Sequence, residues 1–124
     1  MTLRRLEILQ WVGLLLGGLA FAFAHVVGYG ITEAQCNAGG LRWGISSETW
    51  ELAALGAAAA FVVVAELAAA LVVARTRGES YEGPPPPGRV RFFAIAAVAA
   101  NLIFLTIIVL DALGAVFNVA CRQG

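Results

Sequence analysis

The sequence predicts an all-α integral membrane protein: a single domain over residues 1–124, folded as a three-helix bundle with its N-terminus cytoplasmic and its C-terminus outside. Three observations predict it. Apolar runs cover about 8–31, 51–74 and 92–119 and leave room for only two short polar loops. The chain is 60% hydrophobic and 13% charged, where an ordinary soluble domain has about a quarter charged residues. The arginines also divide unevenly between the two ends of the runs.

Each run reaches the roughly 20 apolar residues needed to cross about 30 Å of hydrocarbon as a helix. The runs are continuous and rich in Ala, Leu and Val, whereas a barrel would need many strands of alternating pattern. Net charge is zero, so a nucleic-acid partner has no electrostatic support. All eight basic residues are arginine. With the abundance of Ala and Gly, this composition suggests a GC-rich bacterial genome.

The first run follows Arg4 and Arg5. Ala22-Phe23-Ala24 has the small-x-small form of a signal-peptide cleavage site, but the apolar run continues to Ile31, which favours an uncleaved helix. Gly13 and Gly17 form a GxxxG pattern that Gly18 widens. Small residues of this kind let membrane helices approach closely.

The 32–50 loop contains Cys36, Asn37, Gly39, Gly40, Trp43 and Gly44. Trp43 and Trp50 suit the aromatic belt at a membrane interface. Ser46 and Ser47 are N-cap candidates for the second helix, with Glu48 and Glu51 expected in its first turn, where negative charge complements the helix dipole. That reading makes both acids helix initiators rather than ligand contacts.

The second run is rich in Ala, and with Gly56 and the first-run glycines it offers more small surface than three helices bury among themselves. This points to an oligomer or a larger complex. The 75–91 loop carries Pro84–Pro87, expected as a short non-helical polyproline II rod with Gly83 and Gly88 as joints. A stiff spacer returning the chain to the membrane is the first reading, and a partner docking site the second. In the third run Phe92, Phe93, Phe104 and Phe117 suit lipid or a partner groove.

Arg4, Arg5, Arg75, Arg77, Arg89 and Arg91 lie at one end of the runs; only Arg42 and Arg122 lie at the other. The positive-inside rule puts the six-arginine end in the cytoplasm of a bacterial inner membrane. Cys36 and Cys121 then share the outer side, where disulfides persist. A bond between them would close a loop of about 85 residues, worth ~4 kcal/mol in the chain-entropy model. Zinc is a poor alternative, because no second pair of ligands stands nearby.

Four polar residues stand inside the runs: His25, Glu66, Asn101 and Asp111. An acid at mid-membrane costs on the order of 3 kcal/mol on insertion scales, so such groups face protein or water. Glu66 lies about 14 Å from Arg75, and Asn101 about 15 Å from Arg91, counted along the helix. They are expected at one depth on neighbouring helices, with Asn101 donating to the Glu66 carboxyl. His25 and Asp111 each lie about 30 Å from the nearest arginine of the cytoplasmic end, near the outer interface. They form a second expected pair.

No phosphate loop, nucleophile elbow, HExxH or CxxC is present in the sequence. The expectation is a non-enzyme with no catalytic residue, no metal and no cofactor of its own, at most a non-catalytic subunit of an oxidoreductase complex. His25 is the residue to test as an axial haem ligand or quinone contact, although one histidine cannot give bis-His ligation.

Several short motifs span nearly the whole chain: His25-Val26-Val27-Gly28-Tyr29 late in the first helix, Cys36 soon after, Arg91-Phe92 opening the third helix, Leu102-Ile103-Phe104 at its centre, and Cys121 near the end. In this set the chain resembles small three-helix bacterial membrane proteins encoded beside haem–copper oxidases. The resemblance implies an accessory subunit of a respiratory electron-transfer complex, with a haem or quinone as a possible neighbour. The alternatives are a small oligomeric channel or transporter with Glu66 and Asn101 in a polar path, and a haem or quinone carrier using His25.

Overall fold

The computed structural model describes residues 1–37, 46–117 and 121. Three helices follow in order: α1 Leu3–Cys36, α2 Ser47–Arg75 and α3 Pro87–Phe117. Each is long and apolar enough to cross a membrane. All three pack against one another, most extensively α1 on α2. Trp43, Arg42 and Arg122 lie outside the described residues, as do Gly39, Gly40 and Gly44.

The helices outrun the apolar stretches that announce them. At 34 residues, α1 is about 51 Å long, against roughly 30 Å of hydrocarbon. Hydropathy marks the portion that lipid surrounds; backbone hydrogen bonding carries the helix on through polar residues such as Thr32 and Glu33.

Buried positions follow a seam with alternating steps of three and four. On α2 the seam runs through Leu55, Ala58, Val62, Ala65, Ala69 and Val72, and on α3 through Val90, Ala94, Ala97 and Asn101, with Ile108 seven residues further; Ser47, Ala68 and Gly88 are buried as well. On α1 the buried Gln10, Gly17, Ala24 and Ile31 recur every seven residues. A repeat of 3.5 keeps one face turned toward its neighbours along the whole length of a helix. Two apolar clusters result: Ala24, Leu55, Ala58, Val62 and Ile108 form one, and Val72, Val90 and Ala94 the other.

Each end is fastened differently. At the arginine end, Arg91 Nη1 donates to the carbonyls of Thr76 at 2.7 Å and Val73 at 3.2 Å. A cation there satisfies carbonyls that the last turn of α2 leaves without intrahelical partners. Thr76 Oγ1 adds a bond to the Val72 carbonyl at 2.8 Å. At the other end, Cys36 and Cys121 are joined in a disulfide. Ser46 caps α2 by accepting from Thr49 N–H at 3.3 Å.

Three expectations need correction. Pro84–Pro87 is not a straight non-helical rod: the segment turns, its Pro85–Pro86 bond is cis, and Pro87 is the first residue of α3. Proline suits that position because the first helical N–H has no intrahelical acceptor. Glu48 occupies the first turn of α2, but Glu51 lies beyond it. Phe104 is partly buried and stacks on Phe21 at 5.0 Å between ring centroids, while Phe92 and Phe117 are exposed.

Candidate functional site

Two polar groupings sit inside the bundle, and glycine distinguishes them. In the middle, α1 approaches α2 so closely that a Cβ on Gly13 would stand 2.9 Å from Ala69 Cβ and 3.0 Å from Ala69 N. A Cβ on Gly17 would overlap the Asn101 carboxamide. The GxxxG pair is therefore used within the chain, to admit α2 on one side and Asn101 on the other.

Asn101 is fully buried and donates from Nδ2 to the Gly13 carbonyl at 3.0 Å. Its side chain also faces the Glu66 carboxyl. Glu66 Oε2, Asn101 Oδ1 and Gln10 Nε2 are buried with no hydrogen-bond partner among the described residues. Sequence depth brings Glu66 and Asn101 to one level, but it gave no sign that the Asn101 hydrogen bond goes to a backbone carbonyl of α1. That carbonyl is reachable because glycine leaves its flank uncovered.

The second grouping lies at the disulfide end. His25 Nε2 stands 3.2 Å from Asp111 Oδ2, their side chains 46% and 38% exposed. The distance is that of an ion pair, but the alignment is not that of a hydrogen bond, and Asp111 Oδ2 has no such partner among the described residues. Phe21 packs against the imidazole, ring centroids 4.4 Å apart. The pair borders a cavity of about 250 Å³ that is also lined by Ala24, Gly28, Tyr29, Thr32, Glu51 and Leu55. All three helices contribute to it.

By sequence, Glu51 reads as a helix initiator. In the structure it accepts a hydrogen bond from Thr32 Oγ1 across the α1–α2 interface and lines this cavity. Nothing in the sequence marks Tyr29 or Thr32 as wall residues. Their heights along α1 were readable, since His25, Gly28, Tyr29 and Thr32 recur at helical spacing. Which face of α2 meets them depends on the α1–α2 register, and no single residue type announces that.

A third feature lies on the flank between α1 and α2. An apolar groove of about 630 Å³ has Ala20, Ala54, Ala57 and Ala58 among its lining residues, with Leu16, Leu19, Phe23 and Phe61 beside them. Among the described residues no group of three or more His, Cys, Asp and Glu is arranged to hold a metal ion.

Comparison with protein-family models, with curated proteins and with solved structures finds no match to this chain.

Proposed function

We propose that this chain is a non-catalytic accessory subunit of a bacterial respiratory electron-transfer complex, seated beside a haem–copper oxidase. In this reading the arginine end is cytoplasmic and the disulfide end faces outward. The bundle contributes contact surface rather than chemistry: it holds a cofactor-bearing neighbour in place and shields it from lipid. The family resemblance of the His25–Tyr29, Arg91-Phe92 and cysteine motifs supports it.

The observation that carries the reading is the flank groove. Small side chains on its walls and larger ones beside them make a concavity suited to the ridge of another helix. The GxxxG pair, Gly13 and Gly17, is already used inside the chain rather than for self-association.

Purification of a tagged chain in mild detergent tests it. Haem-containing subunits are expected in stoichiometric amount, and Ala57→Phe, which fills the groove, is expected to release them while the chain stays folded. Recovery of a homo-oligomer with no other chain would sink the proposal.

A further inference from the structure

We infer that the arginine end of the bundle binds the phosphate headgroup of an anionic membrane phospholipid. The inference uses only this chain's own residues, so it stands whether or not the chain joins a larger complex. Six arginines lie at this end, and the structure divides them. Arg89 is paired with Glu7 at 3.1 Å, and Arg91 donates to the Thr76 and Val73 carbonyls that close α2. The side chains of Arg4, Arg5, Arg75 and Arg77 are exposed and make no hydrogen bond or ion pair among the described residues. With Glu7 paired, the carboxylates left at this end are Glu79 and Glu82, so four unpaired guanidinium groups face two acids.

These four stand at one level. Leu6 and Leu9 of α1 and Val73 of α2 pack around Val72, Val90 and Ala94, which sets the start of α1, the end of α2 and the start of α3 side by side. Arg4 and Arg5 lie within one turn of Glu7, and Arg75 and Arg77 flank Thr76, so all four sit beside the contacts that fasten this end. The surface just inside them is apolar and aromatic. Trp11 is exposed two turns from Arg4, on the same face of α1, and its ring meets Phe93 at 5.8 Å between centroids. Phe92, exposed next to Arg91, packs on Phe93 at 5.5 Å. A phospholipid presents the same order of chemistry, with phosphate at the interface and acyl chains beneath it. Guanidinium groups match phosphate oxygens with paired donors, and basic residues at a membrane edge attract anionic lipid. A soluble anion would engage the arginines and leave the aromatic face beneath them unused.

Trp11 reports on this end. The chain has three tryptophans, and Trp43→Phe with Trp50→Phe leaves Trp11 alone. The full chain with those two changes is reconstituted in phosphatidylcholine vesicles containing brominated phosphatidylglycerol, whose bromines quench a neighbouring indole. Phosphatidylglycerol is expected beside Trp11 about fivefold more often than its share of the bilayer. Salt near ~1 M should bring that ratio close to one, because it screens exposed charges. Arg4→Gln, Arg5→Gln, Arg75→Gln and Arg77→Gln together should do the same at low salt, with helicity and the disulfide unchanged. The salt series needs no arginine variant, so it decides the matter even where the fourfold variant fails to fold.

Trp11→Phe with Trp43→Phe leaves Trp50 to report on the disulfide end, where no preference for phosphatidylglycerol is expected. Inorganic phosphate, added at fixed ionic strength, separates a lipid from a soluble anion, and the preference at Trp11 should survive it. A ratio near one at Trp11 at low salt, a preference that persists in high salt or in the folded fourfold variant, an equal preference at Trp50, or displacement by inorganic phosphate overturns the inference.

Discussion

Asn101 at mid-bundle and His25 near the disulfide end are both polar side chains carried on apolar helices, yet their surroundings differ sharply. Asn101 is fully buried, bonded to a backbone carbonyl, and pressed against two glycines with no room to spare. His25 is half-exposed, close to Asp111 without an aligned bond, beside a glycine that has open space around it. The same residue type thus has opposite uses here. Where Gly13 and Gly17 face a neighbour, glycine removes volume so that backbones can meet and a polar group can set register. Where Gly28 faces a cavity, nothing crowds it, and a side chain there would meet open space.

The sharpest way to break this comparison is to put the same side chain at both kinds of glycine. Gly13→Leu drives a side chain into Ala69, including its backbone N, which cannot move as a flexible side chain can. We expect about 3 kcal/mol of destabilisation, the upper end of the overpacking range, in reversible unfolding in mixed micelles. Gly28→Leu should cost almost nothing in the same measurement. Equal losses would show that the two glycines do not differ in kind.

The disulfide comes next. It holds the end that carries the cavity, tying Cys36 at the close of α1 to Cys121 beyond α3. A free chain would lose ~4 kcal/mol of loop-closure stabilisation for a loop of this length. In a membrane the unfolded reference already has its helix ends confined near the bilayer surface, so about 2 kcal/mol is expected for Cys36→Ser with Cys121→Ser. The loss should appear as faster hydrogen exchange near Thr32 and Glu51, with Gly13 and Asn101 unaffected. Uniform loosening along the bundle would mean that the two regions are not independent.

Asn101→Ala is the next smaller step. Interhelical hydrogen bonds in membranes average ~0.6 kcal/mol, and the truncation also empties space beside Gly17. About 1 kcal/mol is expected in the same unfolding assay. A loss no larger than that of an exposed substitution would remove Asn101 from its register role.

What the sequence conveyed about these regions follows from the kind of information each needs. Helix number came from the three apolar runs, and height within the bundle came from counting residues at constant rise. His25 and Asp111, on helices running in the same direction, are each twenty residues from an arginine at the same end. The structure sets them 3.2 Å apart. Helix ends are not legible in hydropathy, which reports lipid contact rather than backbone hydrogen bonding, and Pro87 begins α3 because proline is tolerated at a helix start. The role of Glu51 is not legible in the sequence, because it depends on which face of α2 turns toward Thr32. That rotation is fixed by the summed packing of small seam residues, and Ala is too abundant here for its pattern to stand out.

The smallest expected effect separates the regions most directly. His25 is half-exposed and its approach to Asp111 lacks hydrogen-bond alignment. A pair of this kind typically contributes under about 1 kcal/mol, often nothing measurable. His25→Ala also removes the ring packed on Phe21, but Phe21 keeps its contact with Phe104. We expect less than about 0.5 kcal/mol in unfolding, below the cost of Asn101→Ala. A cost matching that of Asn101→Ala would make His25 part of the bundle's framework, and the two regions would not differ in kind. A small cost would show that proximity to a carboxylate alone does not fasten these helices, whereas a buried and aligned hydrogen bond does.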